Sequence, residues 1–146
     1  MGFFYGARTV SFVLGLSSLF GRILLGMFFL SQSVQRIDEW QASIAVVRAK
    51  NLPFGEVLLA LSLIAMLFGS MGLVSGFQTR FSALALAVCT GAWIMLAHDF
   101  WMFQDSDQWA FHYQAFALGT AIIGGLFCLA GTGGGRIAID AMIREQ

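Results

Sequence analysis

Residues 54–76 read FGEVLLALSLIAMLFGSMGLVSG and carry a single charge, Glu56, near their start. A helix that crosses the hydrocarbon core of a bilayer takes about 20 predominantly apolar residues, so this stretch alone predicts a membrane span. Three further stretches meet the same requirement, at 18–34, 81–100 and 109–131. The alternating polarity of a membrane barrel is absent, and backbone groups in lipid must then be satisfied within helices. The sequence predicts an all-α integral membrane protein with one domain over residues 1–146. It is a four-transmembrane-helix bundle with a short interfacial N-terminal segment and a short C-terminal amphipathic segment.

Composition leads to the same place. The chain is 58% hydrophobic and 11% charged, whereas a soluble domain carries roughly 25% charged residues. It has no basic face for nucleic acid and no nucleotide loop, so the lipid bilayer is its first partner. Cys89 and Cys128 both fall within spans and form no Cys-x-x-Cys pair, which makes them packing residues.

Lysine and arginine placement sets orientation. With four spans, Arg8, Arg22, Arg80, Arg136 and Arg144 share one side, and Arg36, Arg48 and Lys50 share the other. This predicts that both termini lie in the cytoplasm. Arg22, Arg80 and Arg136 read as lipid-anchoring residues. Arg22 is expected to mark the start of the first span and to reach lipid phosphate, because charge inside the bilayer is unfavourable.

Small residues recur at spacing four: Gly72 and Gly76, then Ala83, Ala87 and Gly91, then Ala117, Ala121 and Gly125. Each stripe predicts close helix packing. Residues 41–52 predict a short amphipathic helix with Ile44, Ala45 and Val47 toward lipid. The glycine run 131–135 predicts the end of the last span.

Polar chemistry is concentrated in one place. His98 and Asp99 close the third span and His112 opens the fourth, with Asp105 and Asp107 between them and no basic residue. His98, Asp99 and His112 are the candidate catalytic groups. Phe100, Trp101, Phe103, Trp109 and Tyr113 form either a quinone-facing wall or a docking rim, unless they are simply the aromatic belt of a membrane protein. A quinone site needs a hydrogen-bond donor, a proton path and flat apolar walls, which His98 or His112, Asp99, and the aromatic residues could supply. Haem held by the two histidines is the further alternative. No metal site is expected, since two histidines leave no spare ligands.

Several of these segments resemble the DoxX-like proteins, small four-span bacterial membrane proteins, over roughly residues 20–142. Gly21-Arg22-Ile23-Leu24-Leu25-Gly26 resembles that family's first-helix opening, and Gly76-Phe77-Gln78-Thr79-Arg80 its second turn. His98-Asp99-Phe100-Trp101 is similar to a motif of one large branch, and Ile137-Ala138-Ile139-Asp140 to the C-terminal close. The chain departs from the branch at Met66, where a glutamate is usual, at Arg36, where a lysine is usual, and at Leu118-Gly119 or Ala115-Phe116, where a Lys-Asn pair is usual.

The family includes relatives of the membrane subunit of thiosulfate:quinone oxidoreductase. The resemblance therefore implies a multi-pass protein of the bacterial inner membrane. It further implies a non-catalytic accessory subunit that joins other membrane or periplasmic subunits in a redox-linked complex. A quinone-interacting or haem-bearing oxidoreductase subunit and a small-molecule or lipid carrier are the alternatives.

Overall fold

The apolar stretch at 54–76 folds as α3 (Gly55–Ser75). The computed structural model of the chain describes residues 2–102, 105–135 and 138–144. It adds α1 (Gly2–Asp38), α2 (Trp40–Ala49), α4 (Thr79–Ala97), α5 (Ser106–Thr132) and α6 (Ile139–Arg144). Among the described residues, four helical segments are long and apolar enough to cross a membrane: Gly15–Asp38, Gly55–Ser75, Thr79–Met102 and Ser106–Thr132. The expected bundle of four spans is present. Phe103 and Arg136, both expected to be functional, lie outside the described residues.

The N-terminal segment expected at the interface is helical and forms the first half of α1, continuous from Gly2 to Asp38, with the candidate span beginning at Gly15. Nothing in that sequence breaks a helix, since it lacks proline and its glycines are single. The other boundaries follow from local geometry. Phe54 takes a left-handed conformation with φ 57°, so α3 begins two residues after Pro53. Gly133, with φ 74°, ends α5 as the glycine run predicted, its N–H donating to the Leu129 carbonyl at 2.8 Å.

Helix α3 packs on α1 and on α4, and α5 packs on α4. Phe29, Met66, Leu73, Leu86 and Leu126 form the centre of the core. Glycines permit this spacing, because a side chain on Gly26 would strike Val74 and one on Gly69 would strike Leu86. Ala83 and Ala87 are buried as their stripe predicted. The α5 stripe behaves differently. Ala117, Ala121 and Gly125 face outward, and a Cβ added to Gly125 would meet nothing within 4 Å. Regular spacing identifies a shared face but not whether a neighbour covers it.

Helix α2 folds back over the start of α3. Ile44 and Val47 are buried against Leu59, with Trp40, Leu52 and Trp93 around them. Their expected lipid contact is corrected: the apolar stripe of α2 finds α3 first, and Ala45 alone of the three is exposed.

The other end of the bundle corrects the reading of Arg22. Its side chain is 0% exposed, so it does not reach lipid. It does stand at the end of the bundle, level with the α3–α4 turn, but it points inward. A Cβ on Gly76 would overlap its guanidinium, and one on Gly134 would lie 3.1 Å from Nη1. The carboxylate of Asp140 acts on its charge.

Asp140 also accepts the N–H groups of Gln78 at 2.7 Å and Thr79 at 2.9 Å, while its own N–H donates to the Gly76 carbonyl at 3.1 Å. It caps the start of α4 from the far end of the chain, where a negative charge meets the positive end of the helix dipole. The C-terminal segment is thus docked on the α3–α4 turn, with Ala138 buried. Arg80 is exposed at this level.

Replacing Asp140 with alanine removes the acceptor of two backbone donors, and its expected cost is about 1–2 kcal/mol. The midpoint of thermal unfolding in mild detergent, followed by circular dichroism, should fall for Asp140→Ala. It should hold for Ile139→Ala, whose side chain is 40% exposed. Equal midpoints for the two variants would contradict the capping role.

Candidate functional site

His98 is the C-cap of α4, its N–H donating to the Ile94 carbonyl at 3.1 Å. The chain then makes a single 3₁₀ turn, Phe100–Met102, and enters α5 after Asp105. Asp105 caps that helix by accepting the Asp107 N–H at 3.4 Å. This short return puts His112, in the second turn of α5, opposite His98. The two Nδ1 atoms are 3.3 Å apart and the ring centroids 5.5 Å apart, tilted by 53°. One imidazole must supply the N–H and the other the lone pair. The pair can therefore share or pass one proton between the ends of α4 and α5, whereas a second proton would place two cations in contact.

Asp99 stands next in sequence but turns elsewhere. Its Oδ2 accepts from Lys50 Nζ at 2.5 Å, tying the end of α2 to the end of α4. Among the described residues, no group of three His, Cys, Asp or Glu side chains gathers where it could hold a metal ion. Asp99, expected as a proton path, is held in an ion pair, because Lys50 offers a full opposite charge at the same level.

Phe100 is the hub of the aromatic rim. Its ring meets Trp101 at 5.2 Å, Trp109 at 6.2 Å, Tyr113 at 5.5 Å and Phe116 at 5.3 Å, all edge to face. Trp109 and Tyr113 stack in parallel at 4.9 Å, as residues four apart on one helix face can. Trp101, Trp109 and Tyr113 keep their outer surfaces exposed.

Three polar residues of this end escaped the sequence reading. Arg36, in the last turn of α1, lies 3.9 Å above the ring of Trp93 in α4. Lys50 holds Asp99, and Arg48 pairs with Glu56 across the α2–α3 turn. The available signal was topological: Arg36, Arg48 and Lys50 were assigned to the same side as Asp99, so opposite charges were bound to meet there. Which cation meets which partner depends on how α2 folds back.

The matched span of the family comparison corresponds to this architecture. The DoxX family profile matches residues 17–99, more than half of the chain. The chain belongs to the DoxX family. No curated protein and no solved structure gives a match. The DoxX match covers α1 from Ser17 through α4 and ends at Asp99. Arg22, Arg36, Trp93 and His98 therefore fall inside the DoxX segment, while His112 and the Trp109–Tyr113 stack belong to the part beyond it. In this DoxX protein Met66, where the sequence resemblance led one to expect a glutamate, is a core residue, 3% exposed.

The link between α2 and α4 is testable by a double-mutant cycle. Lys50→Met and Asp99→Asn should each destabilise the DoxX bundle, with a coupling of about 0.5–1 kcal/mol once solvent screening of the partly exposed lysine is allowed for. The coupling should shrink in high salt. Strictly additive effects on the unfolding midpoint would remove the ion pair as a tie.

Proposed function

We propose that this DoxX-family chain is a non-catalytic membrane subunit that seats against other subunits of a redox-linked complex in the bacterial inner membrane, with both termini cytoplasmic. The observation that carries the reading is the outer face of α5. Among the four candidate spans, α5 is the least buried. Ala117, Ala121 and Gly125 lie along its outside, and extra methyl groups on Gly124, Gly125 or Gly131 would meet nothing within 4 Å.

Between α1 and α5 lies an open cleft of about 620 Å³, lined by small residues that include Gly21, Gly125, Cys128 and Thr132. Membrane helices associate where small residues let backbones approach, and lipid chains gain little from such a surface. The face is therefore built for another helix. The exposed Trp101 and Trp109 at the end of α5 extend it toward the membrane surface, where the rim of ordered rings offers a second contact.

A quinone-facing role at the same rim is the second reading, favoured by the His98–His112 contact beside the Phe100 cluster. A quinone carbonyl needs a donor next to flat apolar surface, and the pair provides one. In the intact complex His98→Ala would then abolish electron transfer, and unchanged turnover would remove this role.

The subunit role predicts a stoichiometric partner when the protein is purified from its native host in mild detergent and weighed by native mass spectrometry. Gly125→Leu should release that partner, while Leu84→Phe, on an exposed part of α4, should not. A clean monomer from the wild-type chain would overturn the proposal.

A further inference from the structure

We infer that the cavity enclosed by α1, α2, α3 and α4 at the α2 end of the bundle binds a single-chain amphiphile whose carboxylate is held by Arg36. The inference stands apart from the subunit role above, since it concerns different helices and a different face. The cavity measures about 370 Å³, inside the range of roughly 300–1,000 Å³ typical of small-molecule sites. Its walls are apolar, from Val47 and Leu52 at the α2 end to Ala65 and Val88 nearer the middle of the bundle.

Along α3 the lining runs from Gly55 to Ala65, about 15 Å of helix, or about half the hydrocarbon thickness of a bilayer. Leu58, Leu61 and Val88 on its edge are 53%, 57% and 71% exposed. They belong to the apolar surface of two membrane spans, so the mouth opens sideways onto lipid. A ligand that enters there comes from the bilayer.

The polar end of the cavity selects the head of that ligand. Arg36 is the charged residue among those lining it, and no Asp or Glu is among them. The ion pairs Arg48–Glu56 and Lys50–Asp99 answer the neighbouring cations and leave Arg36 out. The Ser62 hydroxyl donates to the Leu59 carbonyl at 2.7 Å, so its proton is already used.

Trp93 lies 3.9 Å from the guanidinium carbon, which fixes the plane of Arg36 and occupies one of its faces. The N–H edge is left for an acceptor, and a carboxylate matches it with two parallel hydrogen bonds. A neutral head would leave the charge unanswered, and a cavity of about 370 Å³ takes one chain beside that head. One anionic head with one chain fits both the charge and the shape.

Binding of radiolabelled palmitate to the full chain in mild non-ionic detergent tests the inference. Saturable, stoichiometric binding is expected, weakened about tenfold or more in Arg36→Gln, the range of one charge-assisted hydrogen-bonded contact. Arg48→Gln should bind as the wild type does. Hexadecanol should compete about tenfold less well than palmitate, and phosphatidylglycerol should not compete. Ala92→Trp, which fills the cavity from its exposed edge and keeps Arg36, should lose binding.

If Arg36→Gln fails to fold by circular dichroism, the competitor series on the wild-type chain and Ala92→Trp decide the matter. Equal binding by folded Arg36→Gln, retained binding by Ala92→Trp, or equal competition by hexadecanol or phosphatidylglycerol would overturn the assignment.

Discussion

A guanidinium with no exposed surface lies where three distant parts of this chain meet. Arg22 projects from α1 into the space under the α3–α4 turn, and the C-terminal segment closes over it. Charge placed within a membrane protein is tolerated where backbone and opposite charge surround it. Two glycines, Gly76 and Gly134, allow the backbone that close approach, and Asp140 supplies the opposite charge. The same carboxylate caps α4. One carboxylate therefore both acts on the arginine's charge and orders the turn between α3 and α4.

The opposite end is organised by a different device. Helix α2 cannot cross a membrane at ten residues, so it lies back on α3, burying Ile44 and Val47 and bringing its basic residues over the ends of α3 and α4. Lys50 then fastens Asp99, and Arg48 fastens Glu56. With those cations paired, Arg36 is turned onto Trp93 at the head of an apolar cavity. The two histidines occupy the adjoining corner, joined to each other by a contact that lets one proton be shared between α4 and α5. Two polar neighbourhoods thus stand side by side, a cationic one facing lipid and an imidazole pair beside the aromatic rim.

Much of the fold was legible because a bilayer imposes a length. Residues 54–76 and their three counterparts could be read as spans without any knowledge of contacts, and the glycine run after Thr132 marked where the last one ends. The candidate site was legible in part. That His98 and His112 meet follows from a short return between two spans, and Phe100 sits between them in that return. The partner of Asp99 was not legible. It comes from residue 50, across a loop whose path no local pattern specifies. The direction of Arg22 was equally hidden, since a residue at the edge of a span can point to lipid phosphate or inward with the same sequence around it.

The sequence by itself determined the class of solvent, the number and rough limits of the spans, and the level at which each polar residue stands along the membrane normal. These are one-dimensional properties, set by hydropathy and by the rise of a helix. The tertiary structure alone decided the rotation of each helix and hence what each polar residue touches. It turned Arg22 inward under the α3–α4 turn and not toward lipid, set Asp99 on Lys50, and left the small face of α5 outside and not within. The physical reason is that lipid and protein interior are equally apolar. Burial gives a membrane helix no hydrophobic preference for one face, and only close packing, hydrogen bonds and charge pairs choose it.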